Sequence, residues 1–168
     1  KLKKNSVIIS SRKTNENLIN EFKLFFFSNL KNKLKPLNVL ILGLTFKGYP
    51  KTDDMRGSIS IDLINYFKKN NVKNKIFAYD KFVNKKSFKK LDIIEVKNLK
   101  KSFYHMDLVV IANNNLEFRK INLSKEMLLL NKNALVYDFW NFYRSNRYVE
   151  KNKSNYVAFG NHISLKND

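Results

Sequence analysis

Between residues 43 and 58 the chain reads GLTFKGYPKTDDMRGS. Within this stretch fall Lys47, Asp53, Asp54, Arg56 and Ser58, and the stretch joins one apolar run to an apolar-periodic segment. Connections between a strand and a helix usually take a handful of residues, and longer ones loaded with charge tend to serve a ligand. Ser58 is the candidate N-cap of the segment that follows, and the amide donors and dipole of a helix start favour an anion. Lys47 adds a point charge, and Arg56 adds a planar fork suited to phosphate. Asp53 and Asp54 do not suit an anion site. Their expected work is internal, accepting loop N–H bonds or pairing with Lys47, Lys51 or Arg56. Gly43 and Gly48 do not form G-x-G-x-x-G, so the loop does not read as the tight pyrophosphate turn of a dinucleotide site.

Other reactive residues are sparse. The chain has no cysteine, which excludes disulfides, thiolate metal sites and a cysteine nucleophile within it. With two histidines, a zinc site is not expected, and neither His105 nor His162 has a partner in sequence. No residue is assigned a catalytic or metal-binding role. Asp80 follows an apolar run, where an acid can hold a ribose, but the glycines that would support that role are missing. Asn113, Asn114 and Asn115 fall where they could line the crevice, but as a run in an asparagine-rich chain they are expected to be loop filler; Trp140, next to Asp138 and Asn141, could sit at the crevice edge, with a core position the expected one.

The elements that position the loop follow from hydrophobic spacing. Residues 38–44, NVLILGL, form a short continuous apolar run, as expected of a strand covered on both faces. Residues 75–80, 91–96, 107–113, 134–139 and 156–160 read as further strands. Residues 59–69 and 124–130 read as helices, with a brief helical stretch near 98–104. This alternation predicts an α/β fold: a Rossmann-like, doubly wound parallel sheet with helices on both faces. In such sheets ligands collect outside the carboxyl ends of the strands, where the 43–58 loop lies. Before the sheet, residues 13–30 carry apolar side chains at Leu18, Ile19, Phe22, Phe25, Phe26 and Leu30, the spacing of one amphipathic helix. This helix is expected to pack on the α/β body or on a second subunit. The basic stretch KNKLKP at 31–36 then marks a boundary between residues 1–35 and 36–168.

Composition sets the outer bounds. At 168 residues and 43% hydrophobic the chain can bury a substantial core. No apolar run approaches the roughly 20 residues needed to span a bilayer, and no signal peptide is evident, so a cytoplasmic protein is expected. The formal charge of +19 raises nucleic-acid binding. Lysine is spread over nearly every segment, however, without one dense block, and no nucleic-acid partner is expected. The first residue is Lys1, so the chain is expected to be a piece of a longer one.

The stretch ILGLTFKGYPKTDDMRGSISIDLI, with YD at 79–80, LVVIANNNLEF at 108–118 and ALVYDFWN at 134–141, resembles the C-terminal, UDP-binding domain of the UDP-glucose/GDP-mannose dehydrogenase family. The matching positions of the family's G-x-x-F-K and D-x-R-x-S pattern are Gly43, Phe46, Lys47, Asp54, Arg56 and Ser58. SRKTNENLINEF at 11–22 is similar to the family segment near the end of its central helical region. The resemblance implies a parent enzyme with an N-terminal NAD domain, a central helical region that makes a homodimer, and this C-terminal domain for the nucleotide sugar. That parent would oxidise the C6 alcohol of a UDP-sugar to a carboxylate in two NAD-linked steps, through a thiohemiacetal on a cysteine, in polysaccharide biosynthesis. By the same resemblance, Phe46 and Lys47 bind substrate, and Arg56 reaches toward the NAD cofactor.

The departures are as informative. Without the cysteine and the NAD domain, this chain alone is expected to be inactive. Its F-K-G-x-P-x-T-D-D-x-R-x-S loop is longer than in UDP-glucose members and is similar to that of other UDP-sugar members, including UDP-N-acetylhexosamine enzymes. DFWN at 138–141 replaces a D-G-R segment, which removes an arginine expected for UDP-glucose. The competing reading is a noncatalytic relic or assembly module of the same fold.

Overall fold

The computed structural model describes residues 17–26, 36–70, 73–143 and 156–159. The chain divides into two compact units, residues 1–35 and 36–168. In the first, residues 17–26 form helix α1, with Ile19, Phe22 and Phe25 buried and the Phe22 and Phe26 rings stacked at 6.0 Å. The remaining positions of the expected 13–30 helix lie outside the described residues.

The second unit is built on six parallel strands: β1 (Asn38–Leu42), β2 (Lys75–Tyr79), β3 (Ile94–Glu95), β4 (Leu108–Ile111), β5 (Leu135–Asp138) and β6 (Tyr156–Ala158), in the spatial order β3-β2-β1-β4-β5-β6. The fold is the expected Rossmann-like α/β arrangement. β1 lies in the middle, with Leu42 paired to Tyr79 on one side and Ile111 on the other. That position explains its composition, since a central parallel strand is covered on both faces and needs apolar residues throughout. Val39, Leu40, Ile41 and Leu42 are fully buried.

Strand order reverses between β1 and β4. Right-handed crossovers therefore place the β1–β2 and β2–β3 connections on one face and the later ones on the other. On the first face run α2 (Ile59–Asn70), which buries Ser60, Leu63, Ile64 and Phe67, and α3 (Lys85–Lys90). Acidic Asp62 in the first turn of α2 and Lys68 and Lys69 in its last turn suit the helix dipole. On the other face, alternate strand residues Leu40, Leu42, Tyr79, Val109, Ile111 and Val136 pack with Phe103, Met106, Phe118 and Leu123. No described helix is long and apolar enough to cross a membrane.

Three sequence expectations shrink. The strand expected at 91–96 is two residues long, because Asp92 adopts φ 48° and residues 91–93 close the end of α3. The helical stretch near 98–104 is a single turn at Leu99–Lys101. The expected helix at 124–130 divides into α4 (Leu123–Glu126) and a tighter turn at Met127–Leu129. The sequence reading contains no counterpart of α3, whose one buried side chain, Phe88, gives no periodicity. Its start is marked instead by Asn84, which accepts a hydrogen bond from the Ser87 N–H.

Candidate functional site

The 43–58 loop leaves the carboxyl end of β1 at the point where strand order reverses, the place an open α/β sheet offers to ligands. Its first residues are fixed by two neighbouring strands. Gly43, at φ +93°, donates its N–H to the Tyr79 carbonyl at 2.9 Å. A Cβ there would lie 2.4 Å from the Asn113 side chain, so only glycine fits. Leu44 and Thr45 then donate their N–H groups to Asp80 Oδ2 at 2.8 and 3.1 Å. The Thr45 hydroxyl lies 3.1 Å from both Asp80 Oδ2 and the Lys47 carbonyl. Asp80 Oδ1 accepts from the Phe82 N–H. This buried carboxylate is occupied by the backbone around it and is not free to take ribose hydroxyls.

The loop tip is held by the asparagine run. Asn113 donates its amide to the Thr45 carbonyl at 3.2 Å and to Thr45 Oγ1 at 3.0 Å. Asn114 Oδ1 accepts from the Gly48 and Tyr49 N–H groups at 2.7 and 3.1 Å, and its Nδ2 donates to the Tyr49 carbonyl at 3.0 Å. Asn115 Oδ1 accepts from the Glu117 N–H at 3.0 Å. Gly48 rests directly on the Asn115 backbone, where a Cβ would come within 2.3 Å of its nitrogen. Asn113 and Asn115 are buried and Asn114 is half-buried. The filler reading of these residues is therefore wrong, because a short amide side chain can satisfy a neighbouring loop's backbone as a strand would. The available signal was the position of the run, directly after β4 and opposite the loop.

The site residues hang on this frame. Phe46 donates its N–H to the Asp54 carbonyl at 2.7 Å, closing the loop on itself. Its ring is exposed and approaches Gly57 (φ +70°), with Cδ2 4.0 Å from where a Cβ would stand. Lys47 follows it; among the described residues its ammonium has no hydrogen-bond or ion-pair partner. Asp54 Oδ1 accepts from the Arg56 backbone N–H at 2.9 Å and from its Nε at 3.0 Å, and Oδ2 accepts from the terminal guanidinium nitrogen at 2.7 Å. The Arg56 hydrogen bonds hold the Asp54 carboxyl down at about 2. Asp54 thus does the internal work expected of it, while the Arg56 side chain, 91% exposed, keeps its outer edge open to solvent. Ser58 caps α2: its buried Oγ accepts from the Ser60 N–H at 3.2 Å and lies 3.4 Å from the Thr45 carbonyl. Phe46, Lys47 and Arg56 are thereby carried on one closed loop that ends at the start of a twelve-residue helix.

At the end of β5, Trp140 is 46% exposed and donates Nε1–H to the Ala112 carbonyl at 3.2 Å. It sits at the crevice edge and not in the core, because its indole N–H needs the acceptor that the end of β4 presents. Asp138 anchors this corner, accepting from the Trp140 and Phe142 N–H groups at 2.8 and 2.7 Å and from the Tyr156 hydroxyl at 2.8 Å. Burial raises the Asp138 carboxyl despite these donors. Among the described residues, no three His, Asp or Glu side chains converge into a metal-ligand set.

Comparison with known proteins locates this arrangement. The model of the UDP-glucose/GDP-mannose dehydrogenase family, UDP binding domain, matches residues 40–145, more than half of the chain. A UDP-glucose 6-dehydrogenase of Rickettsia felis is 27% identical over 161 residues, covering 95% of this chain and 34% of its own length. The chain therefore spans about a third of that relative. Among solved structures, a UDP-D-ManNAc dehydrogenase of Pyrococcus horikoshii superimposes with a TM-score of 0.63 at 24% identity, over 84% of this chain and 31% of its own. An NDP-N-acetyl-D-galactosaminuronic acid dehydrogenase of Methanosarcina mazei does so with a TM-score of 0.67 at 15% identity, over 93% and 31%.

Proposed function

This chain belongs to the UDP-glucose/GDP-mannose dehydrogenase family through its UDP binding domain, and from that premise we propose that it is the substrate-holding part of an NAD-dependent UDP-sugar 6-dehydrogenase. The observation that carries the reading is the Lys47 ammonium, which has no hydrogen-bond or ion-pair partner among the described residues, on a loop tied down at Leu44, Phe46 and Gly48. A cation held on a fixed backbone and left without a counter-charge is suited to a pyrophosphate arriving from solvent, where a charge-assisted hydrogen bond contributes about 1.5–3 kcal/mol. The exposed Phe46 ring beside it offers an apolar face to the base or ribose. Preorganisation matters here, since a loop already ordered loses little entropy on binding.

The cofactor belongs mostly elsewhere in the parent. No tight glycine turn is present, and Asp80 is consumed by backbone donors, so this unit does not fit a dinucleotide bound in the usual Rossmann manner. NAD, when bound by the parent, supplies hydride acceptance. The contribution of this chain is the solvent-facing edge of Arg56, suited to a cofactor phosphate presented from outside the domain. Residues 1–35 would end the central dimerisation region of a cytoplasmic homodimer, and residues 36–168 would be the nucleotide-sugar domain. The loop sequence and the indole of Trp140 in place of an arginine favour a UDP-N-acetylhexosamine as substrate.

Isothermal titration with UDP and UDP-N-acetylhexosamines tests the reading. Binding by the wild-type chain and a tenfold or larger loss in Lys47→Ala are expected. Absence of binding by the folded chain, or equal affinity of the two proteins, overturns it. The parent is tested by reading the coding sequence upstream of Lys1, where a dinucleotide fingerprint and a cysteine are expected and a start codon at residue 1 is not.

A further inference from the structure

On the reading of the 43–58 loop as the substrate-holding element, we propose that Glu117 is a positioning residue for it, acting through Lys81 and Phe82 on Lys51. β1 stands between β2 and β4, so the loop leaves the sheet between the segments that follow those two strands. The asparagine run ties the loop to the β4 side. A different set of contacts reaches it from the β2 side. Lys51 Nζ stands 5.7 Å from the centroid of the Phe82 ring, within cation–π range. Phe82 is itself fixed, because its N–H donates to Asp80 Oδ1 at 3.0 Å while the other oxygen of that carboxylate accepts from Leu44 and Thr45. One buried acid therefore holds both the root of the loop and the base of the ring on which Lys51 rests.

Lys81 is drawn to the same ring, with Nζ 5.9 Å from its centroid. Two ammonium groups sharing one ring repel each other unless one of them is neutralised. Glu117 supplies the counter-charge. Its Oε2 lies 2.8 Å from Lys81 Nζ, and its Oε1 accepts from the Tyr79 hydroxyl at 3.3 Å. The carboxylate holds the Lys81 ammonium above its ordinary range. Lys51 has no ion-pair partner among the described residues. Glu117 is anchored in turn, since its N–H donates to Asn115 Oδ1 at 3.0 Å and Gly48 rests on the Asn115 backbone. The Lys81–Glu117 pair thus joins the segments after β2 and β4 across the root of the loop, and it leaves Lys51 free to stay on the Phe82 ring.

Amide hydrogen exchange of the full 168-residue chain, without ligand, reads this strap at the N–H groups of Phe46, Gly48 and Asp54, which bond to Asp54, Asn114 and Thr52. Glu117→Gln keeps the shape of the side chain but takes away the counter-charge. It is expected to speed exchange at these three positions and to weaken UDP binding, each by roughly two- to fivefold, the range of a partly exposed ion pair. Lys51→Met, at an exposed position, should speed exchange by a similar factor. Lys81→Met removes the repulsion together with the need for a counter-charge. The double variant Lys81→Met/Glu117→Gln should therefore return exchange and UDP affinity to near the wild-type values, a rescue that a merely structural glutamate would not show. Unchanged exchange in Glu117→Gln or in Lys51→Met, or a double variant that exchanges as fast as Glu117→Gln alone, overturns the proposal. Absence of UDP binding by the wild-type chain overturns the substrate reading instead, and the exchange rates still decide whether Glu117 holds the loop.

Discussion

Adding one methyl group at Gly48 should separate the loop from its support. The new Cβ would fall 2.3–2.5 Å from the nitrogen, Cα and Cβ of Asn115, whereas ordinary contacts lie at 3.4–4 Å. Two of the three opposing atoms are backbone, so the strain is not relieved by a rotamer change, and the loop must withdraw by about 1 Å. Withdrawal stretches the three hydrogen bonds that Asn114 makes to Gly48 and Tyr49. At about 0.5–1.5 kcal/mol net for each bond, Gly48→Ala should lose roughly 1.5–4.5 kcal/mol. A displacement of that size at a positioning element can also reduce function about 100-fold. Denaturant unfolding and UDP titration should therefore both register the change. Asn114→Ala removes the same bonds without a clash and should give the same loss of affinity. Asn114→Asp keeps the acceptor for two N–H groups and should retain more of it. Gly48→Ala with unchanged stability and unchanged UDP affinity would refute the idea that the asparagine run positions Lys47.

Further outcomes follow from the same frame. Asn113→Ala leaves buried polar atoms of Thr45 short of a donor and should cost about 1–3 kcal/mol by denaturant unfolding. Asp138→Asn cannot serve three donors equally well and should destabilise the chain by a similar amount. Because burial raises the folded carboxyl of Asp138, its ionisation opposes folding. Its destabilising contribution should appear as pH rises above the usual carboxylate range and be absent in the Asn variant, as a comparison of stability against pH would show. Asp54 has the opposite sign. Its carboxyl is held at about 2, so its pairing with Arg56 should persist as pH falls through 4 and fail only near 2, followed by carboxyl carbon shifts in NMR.

The sheet was legible because central parallel strands must be apolar on both faces, and runs such as VLIL at 39–42 and LVVI at 108–111 carry that demand in their composition. The helix at 59–70 was legible for a related reason, its buried Leu63, Ile64 and Phe67 falling on one face. Short elements escaped. The segment KKSFKK buries one residue, and the end of the expected 91–96 strand depends on a turn at Asp92 that hydrophobicity does not encode. In the site, charged residues were easy to notice and their supports were not. Asn113, Asn114 and Asp80 act by bonding backbone sixty-five to sixty-eight positions away for the asparagines and about thirty-five for the acid, and only the strand order creates those neighbours. Trp140 was misplaced because its exposure depends on the Ala112 carbonyl, which the β4–β5 pairing brings to it.

We propose that one closed loop after β1 grips a nucleoside diphosphate through Phe46 and Lys47. Amide chemical-shift mapping of the full chain titrated with UDP tests it most directly. The account predicts the largest changes at Phe46, Lys47 and Gly57–Ile59, beside the Phe46 ring and the start of α2, and their loss in Lys47→Ala. Saturable UDP binding whose shifts avoid residues 43–59, or that is the same in the variant, would contradict it.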